Sequence, residues 1–315
     1  MLLSIIIVSY NTKSLTLATI KSVIATTKNS KLLKNNLEII VVDNDSKDDS
    51  VAALKTFKKT TQTPLIILEN KENLGFGKAN NLGITHAKGK YYLFLNSDTI
   101  ITGSALENMV SKFATDETLG ILSPVLLNLD TTYQPQGGSF PSLTALFFHM
   151  SMLDDLPLIG SYFPSTQHTG KSTRISLETL EHQTQPIQVD WVAGTALMIP
   201  ANIVAQIGAF DPNIFMYGED IELCMRARNH HYSVALDPSA RIIHIQNASS
   251  TSENAVRGEY LGYIYIFSKH RSAIACAIAK MILQMGAILR IIVFSTLAPN
   301  PEKRELYKTI LGNIS

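Results

Sequence analysis

Ser4-Ile-Ile-Ile-Val-Ser-Tyr-Asn11 places four β-branched residues in a row with no polar alternation, which suits a short strand buried on both faces. Outward from it, the pattern repeats. Asn11–Thr27 reads as a helix with Leu15, Ile20, Val23 and Ile24 broadly on one side. Leu37–Val42 (LEIIVV) is a second buried strand, followed by Asp43-Asn44-Asp45-Ser46. Ser46–Thr60 reads as a helix with Asp48 and Asp49 in its first turn, where carboxylates meet the positive end of the dipole. Pro64–Leu68 is a third strand, Leu74–His86 a third helix after the Gly75/Gly77 turn, and Tyr91–Leu95 a fourth strand that runs into Asn96-Ser97-Asp98. Strands alternating with helices predict an α/β fold, a mostly parallel central sheet flanked by helices. Such sheets bind ligands beyond the carboxyl ends of their strands. Tyr10-Asn11, Asp43–Ser46 and Asn96–Asp98 therefore form one expected neighbourhood.

The type of ligand is narrowed by what these turns lack. A nicotinamide-binding domain needs a glycine-rich turn after the first strand, and here that turn is Ser9-Tyr10-Asn11-Thr12-Lys13. No GxxxxGK[ST] occurs either. What remains is a nucleotide site built from side-chain carboxylates, with a metal to neutralise a diphosphate. Asp43 suits a ribose or base N–H, and Asp98 suits Mg2+ or Mn2+; a cap or turn role is the plain alternative for each. With 315 residues, 45% hydrophobic and 17% charged, the chain affords a large core. A net charge of +1 argues against broad binding to nucleic acid. Two cysteines, Cys224 and Cys276, cannot build a disulfide framework and point to a reducing compartment. MLLSIIIVSYN has no basic leader region and is not read as a signal peptide. Residues 121–190 show few regular periods. Beyond them, Gln185–Pro200 reads as a strand pair around Trp191 and Gly194, Pro200–Ile207 and Glu219–Asn229 as helices, and Ser233–Ile245 as strand-turn-strand.

SIIIVSYN, VVDNDSKDDS, NKENLGFGKANN, YYLFLNSDT, VDWVAGTALMIP, GAFDPNIFMYGEDIELCMRAR and the histidine of RIIHIQNASS occur in that order. The ordered set resembles family 2 glycosyltransferases, in particular the bacterial rhamnosyltransferase-like members, over roughly residues 1–250. The resemblance implies a GT-A fold and inverting, divalent-metal-dependent transfer of a sugar from a nucleotide-sugar. By position, Asn96-Ser97-Asp98 matches the DXD-type metal motif with Asn96 in place of the first acid, leaving Asp98 as ligand and Ser97 beside the nucleotide. His244 matches a second metal ligand. Asp43 and Asp45 match the base- and ribose-binding acids, and Tyr10 and Asn11 the loop beside the base. Lys78 and Asn81 match the loop over the nucleotide. Asp220 matches the base that deprotonates the acceptor, with Glu219 supporting it, and Trp191 and Gly194 match the loop that shapes the sugar pocket. Glu222 and Arg226, at i, i+4, read as an ion pair.

The resemblance divides the chain into a GT-A domain over 1–250, with a nucleotide-binding half 1–120 and an acceptor half 121–250, and a helical tail over 251–315. From Lys269 on, seven Lys/Arg face two Asp/Glu, and the total of +1 less this +5 leaves −4 for residues 1–268. Within Ala273–Ala298, Ile274, Ile278, Met281, Met285, Leu289 and Ile292 share a broad face, with Lys280 and Gln284 on another and Arg290 near the edge. That pattern predicts an interfacial helix; packing against protein or a dimer contact are the alternatives. The expectation is an enzyme at the cytoplasmic face of the cell membrane, peripherally bound. It would use dTDP-rhamnose or a UDP-sugar as donor and a saccharide or lipid-linked acceptor, in cell-surface polysaccharide assembly. A nucleotidyltransferase, or an inactive carbohydrate-binding protein on the same fold, are the competing readings.

Overall fold

The computed structural model describes residues 1–156, 160–166, 180, 182–245 and 252–314. Contacts divide the chain into two units: residues 1–134, 175–215 and 219–249 form the first, and 135–174, 216–218 and 250–315 the second.

The first unit is built on a nine-stranded mixed sheet. Its strands are β1 (Leu3–Ser9), β2 (Leu37–Asp43), β3 (Leu65–Glu69), β4 (Tyr91–Asn96), β5 (Thr99–Ile101), β6 (Leu119–Leu127), β7 (Ile187–Gln188), β8 (Ala196–Pro200) and β9 (Ser233–His244). The order is β3-β2-β1-β4-β8-β6-β9-β5, with β7 also on β9. β1 to β4 run parallel, as their short apolar runs alternating with helices predict. The other half is mixed, since β8 is antiparallel to β4 and β5 to β9, while β6 runs parallel to β9. The flanking helices are α1 (Lys13–Thr27), α2 (Ser50–Lys58), α3 (Phe76–Ile84), α4 (Ala105–Lys112), α6 (Ala201–Ile207) and α7 (Glu219–Asn229). Ile5, Ile7, Ile39 and Leu93 pack with Ile20, Val23, Leu106 and Met109 in the main core.

Four local expectations are corrected. Residues 121–190 contain much of β6, buried along nearly its whole length; Pro124 sits at a register shift, where a missing N–H is tolerated. Gln185–Pro200 is not a strand pair, because β7 joins β9 while β8 joins β4 and β6. Ser233–His244 is one strand, its predicted turn being a bulge between Asp237 and Arg241. The helix expected from Ser46 starts at Ser50, because Asp45 and Asp49 hold positive φ.

The second unit contains α5 (Leu143–Met150), α8 (Ser252–His270), α9 (Ala273–Thr296) and α10 (Pro301–Ile314). α9 packs on α5, α8 and α10 through Ala279, Leu283, Gly286 and Ala287. Ile274, Ile278, Met281, Met285, Ile288 and Ile292 are exposed on it. The expected face is thus shifted slightly, with Ile288 in the place given to Leu289. Arg290 is turned inward, donating to the carbonyls of Met150 at 2.7 Å and His149 at 3.3 Å.

Candidate active site

Register brings the strand ends together. Ser9 lies opposite Asp43, and Val8 opposite Asn96. β1 is where the sheet order turns, with β2 on one side and β4 on the other, so the crevice expected of such a sheet opens here.

At the end of β2, Asp43 is 2% exposed. Its Oδ2 accepts from the Ser46 N–H at 2.9 Å, while its buried Oδ1 has no partner. A buried carboxylate oxygen left unpaired is costly, and a ligand N–H or hydroxyl would satisfy it. Asn11 holds the neighbouring turn, its N–H donating to Ser46 Oγ at 2.9 Å and its Oδ1 accepting from the Lys47 N–H at 2.7 Å. Tyr10 is exposed beside it. Asp45 faces solvent and pairs with Lys47 at 2.6 Å. Asn44, within the expected neighbourhood but assigned no role from sequence, is a buried hub. It donates to Asn73 Oδ1 at 2.7 Å and accepts from Asn70 Nδ2 at 2.9 Å and from the Leu74 N–H at 3.1 Å. Gly75 follows at φ 79°, with Phe215 O only 2.3 Å from where a Cβ would stand, so no side chain fits. Lys78 is exposed on α3. Asn81 is otherwise engaged. Its amide donates to Phe210 O at 2.7 Å and accepts from the Phe210 N–H at 3.0 Å, so the side chain expected beside the nucleotide is bound here to backbone.

The β4 end is fixed from α1. Thr19 Oγ1 donates towards Ser97 O at 2.9 Å and Thr99 O at 2.7 Å, and Thr12 Oγ1 donates to Ser97 Oγ at 3.0 Å. Ser97 is therefore a buried strut of this turn. Thr12, Thr16 and Thr19 recur at helical spacing on the buried side of α1; a search for polar as well as apolar periodicity would have found them.

Asp98 is 2% exposed, and its Oδ1 has no hydrogen bond. Pairing of β5 with β9 sets Thr99 opposite His244, and His244 Nε2 lies 3.4 Å from Asp98 Oδ1. The other ring nitrogen, Nδ1, is 2.8 Å from Gln134 Oε1. An amide oxygen only accepts, so Nδ1 carries a proton, and in a neutral ring the unprotonated nitrogen is Nε2, on the side of the unbonded Asp98 oxygen. An imidazole nitrogen and a carboxylate oxygen this close form a donor pair that suits Mn2+ or Mg2+. The donor set fits a divalent metal. Among the described residues no cluster of three or more His, Cys, Asp or Glu side chains is grouped for a metal, so this pair would supply two protein ligands only.

The last group sits where β8 hands over to β4. Asn96 N–H donates to Thr195 O at 2.8 Å, and the adjacent Gly194 N–H donates to Asp220 Oδ2 at 3.0 Å. Asp220 Oδ1 accepts from the Ile221 N–H at 2.8 Å, so the carboxyl is oriented at the start of α7. A Cβ on Gly194 would stand 3.1 Å from the Phe76 ring, so bare backbone suits this contact. Glu219 and Trp191 are buried nearby in sequence, at 5% and 7% exposure. Glu222 and Arg226 form the expected pair at 2.7 Å, and Arg226 also donates to the Ile207, Gly208 and Ala209 carbonyls, clamping α7 to the end of α6.

This strand order with a mixed sheet is the GT-A fold, and solved structures agree. GalNAc-T7 with UDP, GalNAc and Mn2+ is similar at TM-score 0.63 and 17% identity, over 98% of this chain and 54% of that one. The mannosyltransferase PcManGT from Pyrobaculum calidifontis, in complex with GDP-Man and Mn2+, is similar at 0.59 and 14%, over 99% and 84%. Residues 4–166 match the model of glycosyl transferase family 2, and the chain belongs to that family: it is a glycosyltransferase. Among its relatives, the N-acetylglucosaminyl-diphospho-decaprenol L-rhamnosyltransferase of Mycobacterium tuberculosis is 24% identical over 69% of each chain. The low-salt glycan biosynthesis hexosyltransferase Agl10 of Haloferax volcanii is 25% identical over 81% of this chain and 76% of its own.

Proposed function

We propose that this enzyme transfers a sugar, with inversion, from a nucleoside diphosphate sugar to a hydroxyl of a saccharide or lipid-linked acceptor. The observation that carries the reading is the alignment, at one sheet edge, of unsatisfied Asp43, the Asp98–His244 pair and the oriented Asp220. Tyr10, Asn11, Asp43 and Asp45 would receive base and ribose, and Lys78 the phosphates. Asp98 and His244 would hold Mg2+ or Mn2+, which when bound supplies positive charge to the diphosphate leaving group. Asp220 would take the acceptor proton as that oxygen bonds to the anomeric carbon; the bond to the diphosphate breaks, and its electron pair leaves with the phosphate oxygen. Glu219, Trp191 and Gly194 would shape the sugar side of the pocket. A relative named for L-rhamnosyl transfer to N-acetylglucosaminyl-diphospho-decaprenol supports rhamnose as the sugar and a lipid-diphosphate saccharide as the acceptor. The donor would be dTDP-rhamnose, and such an acceptor would put the enzyme at the cytoplasmic membrane face, with α9 as peripheral contact.

The test is a panel of dTDP-rhamnose, UDP-glucose, UDP-N-acetylglucosamine and GDP-mannose with Mn2+, read by thermal shift and then by product anomeric configuration. One donor should stabilise the protein and give a product of inverted configuration. Retained configuration, or no metal-dependent stabilisation by any donor, overturns the reading.

A further inference from the structure

We propose that Gln134 is a positioning residue that fixes His244 in its Nδ1–H tautomer, and that the surface residue Asp130 sets the direction of the hydrogen-bond relay that orients it. The relay runs through one turn after β6. Thr132 Oγ1 lies 2.5 Å from Asp130 Oδ1, Asn128 Nδ2 2.9 Å from Thr132 Oγ1, Gln134 Nε2 3.2 Å from Asn128 Oδ1, and His244 Nδ1 2.8 Å from Gln134 Oε1.

Each link forces the next. An ionised Asp130 can only accept, and hydrogen bonding from Thr132 holds its carboxyl below the usual range. Thr132 therefore spends its single proton on Asp130 and can only accept from Asn128. Asn128 must present its NH2 there, which turns its carbonyl towards Gln134. Gln134 must then present its NH2 to Asn128, which turns its carbonyl towards His244. His244 must donate from Nδ1, which in the neutral ring leaves Nε2 as the bare nitrogen, 3.4 Å from Asp98 Oδ1. The amide orientations follow from the chemistry of the terminal carboxylate rather than from any one contact.

The geometry is built to hold this order. Gln134 is 4% exposed, and its N–H is tied to Leu126 O at 2.9 Å. The Asn128 N–H bonds Thr132 O at 2.8 Å, closing the turn, and Thr131 sits at φ 64° within it. Reversing one amide would set two donors or two acceptors face to face, a mismatch the neighbouring links would resist. A ligating histidine works through an unprotonated nitrogen, and the partner of its other nitrogen sets which one that is.

The consequence for metal rests on the role proposed above for Asp98 and His244; the tautomer does not. The full-length, metal-free protein, 15N-labelled, would be read by long-range histidine 1H–15N correlation at about pH 8, where free imidazole is neutral. Wild-type His244 should show Nδ1–H. Gln134→Leu should shift it to Nε2–H and weaken Mn2+ binding, followed by electron paramagnetic resonance, about 10- to 100-fold. Gln134→Glu, which keeps an acceptor, should restore the tautomer. In the half-buried turn, Asn128→Leu should mix the tautomers and Asn128→Asp should preserve Nδ1–H; this pair carries the test if Gln134→Leu does not fold. Nε2–H in the wild type, or Nδ1–H persisting in both leucine variants, overturns the proposal; a switched tautomer with unchanged Mn2+ affinity overturns the metal reading. A Gln134-dependent Nδ1–H in a protein that binds no Mn2+ supports the relay and overturns the metal reading instead.

Discussion

Asp98→Ala separates the cost of a site from its use. The carboxylate is buried with one oxygen unbonded, so its removal relieves a desolvation burden in the metal-free protein. Melting without metal should be unchanged or higher, while Mn2+-dependent nucleotide binding should be lost in calorimetric titration. Equal Mn2+-dependent binding in variant and wild type would contradict the assignment. Asp220→Asn tests a different property. The amide can still accept from the Gly194 N–H, but it cannot take a proton. Transfer at saturation should fall by about two to four orders of magnitude, with donor affinity near wild type in the same assay. A collapse of donor affinity with the saturated rate intact would make Asp220 a binding residue.

Among the elements, α9 is 24 residues long and apolar enough to span a bilayer by length and composition. Its packing argues for a helix in the plane instead. One side is covered by α5, α8 and α10, and α10 carries exposed Glu302, Glu305 and Lys308. The open side presents Ile274 at 75% and Met281 at 67% exposure, and the helix has Lys280 and Arg290 but no acid. Half-buried Ile282 and Leu289 widen this side beyond the narrow stripe of a coiled-coil seam, and charged flanks are missing, so a lipid surface suits it better than a second copy. Met281→Asp with Ile288→Asp touches only exposed positions. It should leave melting unchanged and weaken binding to phosphatidylglycerol vesicles by tenfold or more, as loss of about 1.5–3 kcal/mol per large apolar side chain implies. Salt should weaken wild-type binding, at roughly 1 kcal/mol per surface cation. Dimers in light scattering without lipid that the same variants abolish would identify a subunit interface instead. Arg290 adds nothing to lipid attraction, because its guanidinium is bound to the His149 and Met150 carbonyls.

Across the whole molecule, charge is placed unevenly and serves different ends. In the first unit Asp43 and Asp98 are buried at strand ends; in the second, a buried cluster joins His149 to Asp154 at 3.2 Å and to Glu259 at 3.0 Å, with Ser165 donating to Asp154 at 2.5 Å. Burial opposes charge on His149, but hydrogen bonds and attraction from both carboxylates outweigh it and raise its pKa to about 9. A raised folded value means stability that is full below the unfolded pKa of about 6.5 and lost as pH climbs through about 9. Thermal stability should therefore fall between those values, by at most roughly 3 kcal/mol from this group. His149→Gln should flatten that slope in a pH series of melting curves. A wild-type profile as flat as the variant's would rule out a charged His149.

β1 to β4 were legible because each is a short, uninterrupted apolar run between helical stretches, and such runs are local. The carboxyl-end neighbourhood followed from the strand alternation, and the late histidine and the ED pair from an ordered set of motifs. Their meeting was not legible from spacing. Asp98 and His244 are brought together by β5–β9 pairing, and β5 has three residues, too few to carry a periodic signal. β6 hid its period behind Pro124 and full burial. Asn44, Thr19 and Gln134 act through hydrogen bonds to distant backbone or side chains. Such bonds depend on where other strands end, so they acquire partners only when the sheet has formed. The apolar run of α9 was determined by sequence alone; which side of it meets protein was decided by small residues, Ala279, Gly286 and Ala287, that let neighbouring helices approach.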